Sequence, residues 1–185
     1  MSTTPDDLSL LLLSAGDRIR GNPEAAVTLI QYGCYACPAS AILHAMVPDL
    51  QRQFPMQLCI VFRHFPVPDP TGQALHAAEA AEAAGVQGQF WQMHDYLFSH
   101  QDALGDGDLA TYAIALQLNV EQFLREIRQD IYVDRVKSDI ASGLQLGVAQ
   151  APGVFINGQR YTAALEFDAM RTAIEQALQD RSPSF

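Results

Sequence analysis

The sequence predicts a mixed α/β fold with the order β-α-β, a block of helices, then β-β-α. Three observations carry that prediction. Two apolar, β-branched runs at residues 27–32 and 57–65 flank a stretch of helical periodicity at 38–53. A long helical middle follows, Ala-rich at its start. Strand character then returns at Val154, Phe155 and Ile156, where Asn157-Gly158 is a strong type I′ hairpin signal. Such an order implies a small mixed sheet with helices packed on it.

Each element has its own local reason. Residues 1–25 read as an N-terminal arm ending at Gly21-Asn22-Pro23. In the 38–53 helix Ile42, Leu43, Met46, Val47 and Leu50 fall on one side, and Pro48 should kink it. Pro66, Pro68 and Pro70 end the second strand. Residues 72–84 form an Ala-rich helix closing on Gly85. Phe90, Trp91, Met93, His94, Leu97 and Phe98 give the next helix a broad apolar face. Asp108 can cap a helix through about Leu118, and Asn119 with Gln122 has capping-box spacing. Val133, Val136, Ile140 and Leu144 mark another helix, and Phe167, Met170, Ile174, Ala177 and Leu178 the last. The domain reading is an α/β domain over 26–70 and 148–181, with an all-helical insertion at 71–147.

Composition narrows the function. The 185 residues carry a formal charge of -10, and their 11 Lys and Arg are scattered. Phosphate binding needs clustered cations, so nucleic acid and anionic membrane surfaces are not expected partners. Residues 8–13 are apolar apart from Ser9 but far too short to span a bilayer. Asp6-Asp7 before them is unlike a secretory leader, so the expected compartment is cytoplasmic. Oligomeric state has no signature. Three cysteines do not suggest a structural disulfide framework. Cys59, within an apolar strand pattern, reads as a small buried hydrophobe.

The chemistry concentrates where the first strand ends. Gly33 closes the apolar run, Cys34 and Cys37 follow with two residues between them, and Pro38 opens the helix. Proline suits the first helical turn. A thiol at a helix start meets unpaired N–H groups and the positive end of the dipole, so its thiolate is favoured. That environment belongs to Cys37 more than to Cys34.

Several motifs in order then point to a family. They are Gly21-Asn-Pro-Glu-Ala-Ala-Val-Thr-Leu-Ile-Gln-Tyr-Gly33, Val61-Phe-Arg-His-Phe-Pro66, Ala77-Ala-Glu-Ala-Ala-Glu-Ala-Ala-Gly85, Phe90-Trp-Gln-Met-His-Asp95 and Pro152-Gly-Val-Phe-Ile-Asn-Gly158. With a cysteine at the first helix, the chain resembles the DsbA family of thiol–disulfide oxidoreductases over residues 18–175. The resemblance implies a thioredoxin fold with a helical insertion. It also implies a register. Cys37 falls on the family's nucleophile, Pro38 on its proline and Ser40 on its second cysteine, giving a C-P-x-S site. Pro152 matches the family's cis-proline, beside which Ala151 would pair with an extended substrate. Ala151 and Gly153 stand where the family commonly carries threonines. Loss of the side chain before the proline should alter thiolate stabilisation.

Three readings of the site stay open. In the first, Cys37 attacks a substrate disulfide and Cys34 resolves the mixed disulfide. In the second, Cys37 acts as a monothiol with glutathione as co-substrate, and Ser40 donates a hydrogen bond to its sulfur. In the third, the fold is a non-catalytic binding scaffold. The enzyme readings need no cofactor and take protein or small-molecule thiols and disulfides as partners. A zinc site from Cys34 and Cys37 would need two further ligands, and no His pair has metal-binding spacing, so no metal is expected. His44, His64, His76, His94 and His100 read as structural or exposed. Nothing local resembles a cysteine hydrolase, and Phe90 and Trp91 read as core.

Overall fold

The computed structural model describes residues 9–180, which build one five-stranded mixed sheet and seven helices. Residues 1–8 of the expected arm, including Asp6-Asp7, and residues 181–185 lie outside the described residues. The strands are β1 (Arg18–Gly21), β2 (Val27–Gly33), β3 (Leu58–His64), β4 (Gly153–Ile156) and β5 (Gln159–Tyr161). They lie in the order β1-β3-β2-β4-β5. The helices are α1 (Pro38–Gln53), α2 (Gln73–Val86), α3 (Phe90–Ser99), α4 (Asp106–Ala115), α5 (Val120–Arg128), α6 (Val133–Gln145) and α7 (Phe167–Asp180).

β2 runs parallel to β3, from Val27 opposite Leu58 to Gly33 opposite His64, and α1 connects them. β4 returns antiparallel along the other side of β2, and β5 pairs with β4 through the hairpin at Asn157-Gly158. Both turn residues take positive φ, 46° and 81°, as a type I′ turn requires. Every residue of β3 is buried, as a strand covered on both faces should be. Leu29, Leu58 and Ile60 face α1 and α7. Their alternating neighbours Ile30, Tyr32, Cys59 and Val61 face Phe65, Val148 and Phe155 on the other side. Cys59 is fully buried there.

Three local expectations change. The arm is not uniform, because Arg18–Gly21 pairs antiparallel with β3 as an edge strand. Four residues alternating charged and apolar are too short to announce a strand, and it exists because β3 needs an outer partner. Asp108 does not cap α4 from the N-cap position. It sits one turn inside and accepts the Gly105 N–H at 3.1 Å. α4 stops at Ala115 rather than Leu118, with Gln117 in a left-handed conformation (φ 56°). Asn119 does cap α5, accepting the Gln122 N–H at 3.0 Å.

The insertion is organised around α2. Its alanines let neighbouring helices approach, and even Glu79 and Glu82 are buried. Glu82 hydrogen-bonds His64 Nε2 at 2.9 Å and pairs with Arg18 from β1. Burial alone would raise its carboxyl, but hydrogen bonds from His64 and Arg18 outweigh burial and hold it at about 2. A carboxyl held below its ordinary value stabilises the fold above that ordinary value. The contribution is lost as pH falls through the folded one. Thermal unfolding followed by circular dichroism should show a falling Tm between about pH 4.5 and about pH 2. The loss should be on the order of a few kcal/mol, and Glu82→Gln should flatten that part of the profile. An equally steep acid loss in the variant would assign the effect elsewhere.

Candidate active site

The site is a β-turn between β2 and α1. Gly33 ends β2 pressed against the Phe62 ring of β3, where a Cβ would collide. Cys34, Tyr35, Ala36 and Cys37 then turn the chain, closed by the Cys37 N–H donating to the Cys34 carbonyl at 3.1 Å. Cys37 is the N-cap of α1 and Pro38 its first residue. The two cysteines are therefore the first and fourth residues of one turn, and their Cα atoms lie within about 7 Å by that geometry. The Cα separation of a disulfide, about 4.4–6.8 Å, falls within that reach. Both cysteines are free thiols, Cys34 buried and Cys37 partly exposed.

Burial raises the Cys37 thiol, and the neighbouring Cys34 pushes it further, to about 12. This runs against the lowering expected from the helix start. Both causes disfavour the charged Cys37 sulfur, burial most of all.

Tyr35 holds the turn. Its ring stacks on Phe62 with centroids 5.4 Å apart and lies 4.9 Å from Phe98 of α3. Its hydroxyl and His94 Nδ1 are 3.0 Å apart. Burial drives the phenol well up and the imidazole well down, so the pair is neutral. Gln101 donates its Nε2 hydrogens to the carbonyls of Tyr35 and Cys37, the latter at 3.1 Å. Nothing in the sequence singles out Gln101, and His94 reads there only as structural or exposed. Both lie more than fifty residues from the turn, with no local pattern linking them to it.

Ser40 is fully buried on the first turn of α1. It was expected to serve the Cys37 sulfur, but its Oγ accepts the Cys34 backbone N–H at 3.3 Å. Its observed partner is therefore the turn backbone. The Ala151–Pro152 bond is cis. The β2–β4 register ends with Tyr32 opposite Gly153, so one step further Pro152 faces Gly33, at the start of the cysteine turn. Ala151 and Pro152 are partly exposed. The missing side chain at Gly153 has a local cause, since a Cβ there would lie 2.7 Å from both methyls of buried Val148.

The histidines near the turn are engaged. His44 stacks on Phe98, and His64 pairs with Glu82. His44, His94 and Asp95 could converge on a cation. However, Arg20 already pairs with both Asp95 oxygens at 3.0 Å, and His94 gives Nδ1 to Tyr35.

A family model described as Thioredoxin matches residues 14–176. The chain belongs to the thioredoxin family. Among solved structures this thioredoxin-family chain is similar to a thioredoxin-like oxidoreductase from Silicibacter pomeroyi DSS-3. The TM-score is 0.81 at 23% identity, over 95% of this chain and 98% of that one. It is also similar to α-DsbA1 of Wolbachia pipientis, with TM-score 0.81 at 19% identity over 94% and 96% of the two chains. The fold is thus the DsbA-like form of the thioredoxin fold. A curated relative, the Na(+)/H(+) antiporter NhaA 1 of Mycolicibacterium gilvum (strain PYR-GCK), is 34% identical over 161 residues. That match takes in 86% of this chain and 26% of the relative. The chain thus spans about a quarter of the length of the curated relatives it matches. Among the described residues no helix is long and apolar enough to cross a membrane.

Two measurements test this geometry. Removing the Cys34 sulfur removes a cause of the raised Cys37 thiol. The alkylation rate of Cys37 in Cys34→Ser should therefore reach half-maximum at a pH clearly below about 12. An unchanged midpoint would leave burial as the whole cause. Gly153→Thr should destabilise by about 1–3 kcal/mol through overpacking. In a double-mutant cycle with Val148→Ala, the combined loss should be smaller than the sum of the two. Additivity would mean that Val148 is not what excludes a side chain there.

Proposed function

We propose that the chain is a thiol–disulfide oxidoreductase whose two redox thiols are Cys37 and Cys34. The observation that carries this reading is the placement of the two thiols at the two ends of one closed β-turn, with Cys37 reachable and Cys34 buried. The Cys37 thiolate attacks one sulfur of a substrate disulfide. A Cys37–substrate disulfide forms, and the other substrate sulfur leaves as a thiolate. Cys34, having lost its proton, then attacks the Cys37 sulfur. The Cys34–Cys37 bond forms, and the second substrate sulfur leaves with its electron pair. The substrate gains two electrons and the protein dithiol loses two. Run backwards, the same steps oxidise a substrate dithiol, and the relative potentials set the direction.

The partners of this chemistry are protein or small-molecule disulfides, and it needs no bound cofactor. The buried thiol lies upstream of the nucleophile rather than in the first helical turn, where Ser40 stands. A glutathione-dependent monothiol route is the second reading. It is favoured by Ser40 standing where the resemblance implies a second cysteine.

Mild oxidation with oxidised glutathione, trapping of free thiols and peptide mass analysis separates the readings. The expected product is a Cys34–Cys37 disulfide. Cys37→Ser should abolish disulfide exchange with the fold retained, and Cys34→Ser should stall at a Cys37 mixed disulfide. A stable Cys37–glutathione adduct with Cys34 free in the unmodified chain would replace the dithiol mechanism by the monothiol one. An unmodified Cys37 would overturn both.

A further inference from the structure

A second cluster lies in the helical insertion and plays no part in the thiol chemistry. His76 and Glu79 are one turn apart on α2, so they share a face. Asp130 stands in the short connection between α5 and α6, in a left-handed conformation (φ 51°). One ligand atom from each of the three lies within 4.8 Å of the others.

Glu79 is the telling member. It is fully buried, and its Oε1 accepts the Tyr132 N–H at 3.3 Å. Its Oε2 is buried with no hydrogen-bond partner. Among the described residues no Lys or Arg pairs with Glu79 or Asp130, although Glu82, one turn further along α2, pairs with Arg18. A buried carboxylate oxygen without a donor is a strong exception to the rule that buried polar atoms are satisfied. Two carboxylates converging without a cation compound the cost.

His76 is already oriented as a ligand. Its Nδ1 is 2.9 Å from Asp106 Oδ1 at the start of α4. A carboxylate only accepts, so Nδ1 carries the proton of that bond. With Nδ1 donating to Asp106, Nε2 is the ring nitrogen left for a metal. A carboxylate behind a histidine in this way fixes the tautomer and raises ligand basicity at metal sites.

We propose that His76, Glu79 and Asp130 bind a divalent transition cation of the zinc type, with Asp106 as the orienting residue behind His76. One imidazole nitrogen and two carboxylates suit zinc, with water completing the shell, better than they suit calcium or magnesium, which take oxygen alone. The ion would bind α2 to the α5–α6 corner and satisfy the Glu79 oxygen. Its three ligands come from His76, from Glu79 and from a residue some fifty positions on, so no compact sequence motif announces it.

The test is independent of the thiol reading because it uses a chain in which Cys34 and Cys37 are both replaced by Ser. After chelator treatment this chain is titrated with Zn²⁺ by calorimetry, with Mg²⁺ and Ca²⁺ as controls. Co²⁺ serves as the spectroscopic probe of the ligand field. One zinc per chain is expected, with a visible cobalt spectrum lacking thiolate character and a Tm that rises on zinc addition. Glu79→Gln and Asp130→Asn should lose the zinc-dependent rise in Tm while remaining folded without metal. Asp106→Asn should weaken zinc by about 10–100-fold. No zinc binding by the Ser-substituted chain would overturn the proposal. So would binding unchanged in both Glu79→Gln and Asp130→Asn.

Discussion

The cysteine turn depends first on the packing of Tyr35. Tyr35 sits inside the turn and points into the protein, where Phe62 of β3 and Phe98 of α3 take its ring and His94 takes its hydroxyl. The sheet contributes one face of that grip and the insertion the other. The insertion also supplies Gln101, which binds the turn carbonyls from outside. The stacking depends in turn on Gly33, since a side chain there would occupy the space of the Phe62 ring. A site made by four residues thus draws on elements spread from β2 to the loop after α3. Packed aromatic rings with a neutral hydrogen-bonded pair at their edge leave the turn little freedom to open.

Most of the fold was legible because its signals are local. Apolar runs at 27–32 and 57–65, the Asn157-Gly158 turn and the Asn119 cap each need only a few neighbouring residues to be read. The edge strand at Arg18–Gly21 was not legible. Its structure comes from β3, and its side chains look like those of any solvated arm. At the site, the sequence singled out Cys34, Cys37, Pro38, Ser40, Ala151 and Pro152. It could not show that the Ser40 oxygen turns to the Cys34 backbone, or that Val148 explains Gly153. Both are contacts between side chains and a backbone path that sequence spacing does not describe. The opposite directions expected and found for the Cys37 thiol have the same origin. The helix start is written locally, whereas burial and the nearness of Cys34 are properties of the folded turn.

Two buried glutamates one turn apart on an alanine-rich helix show how environment divides a single residue type. Glu82 faces β1 and β3, receives Arg18 and His64, and is held ionised. Glu79 faces the α5–α6 corner and receives one backbone N–H. The helix itself is nearly featureless, because alanine neither directs nor obstructs its neighbours. What approaches each glutamate is therefore set by the surrounding elements, and among the described residues only Glu82 has a cationic side chain as its partner.

The short strand β1 does more than extend the sheet. Ile19 accepts the Trp91 indole N–H through its carbonyl, and Arg18 and Arg20 lie over the rings of Phe90 and Trp91. Behind it runs β3, seven residues with no exposed member. Strip β1 away and those residues become a bare, apolar sheet margin, the kind of template on which chains join edge to edge and aggregate. The arginines on β1 then have a protective meaning as well as an anchoring one. They cover an aggregation-prone border with charge, and a chain shortened to begin at residue 26 would trade a covered margin for a self-associating one.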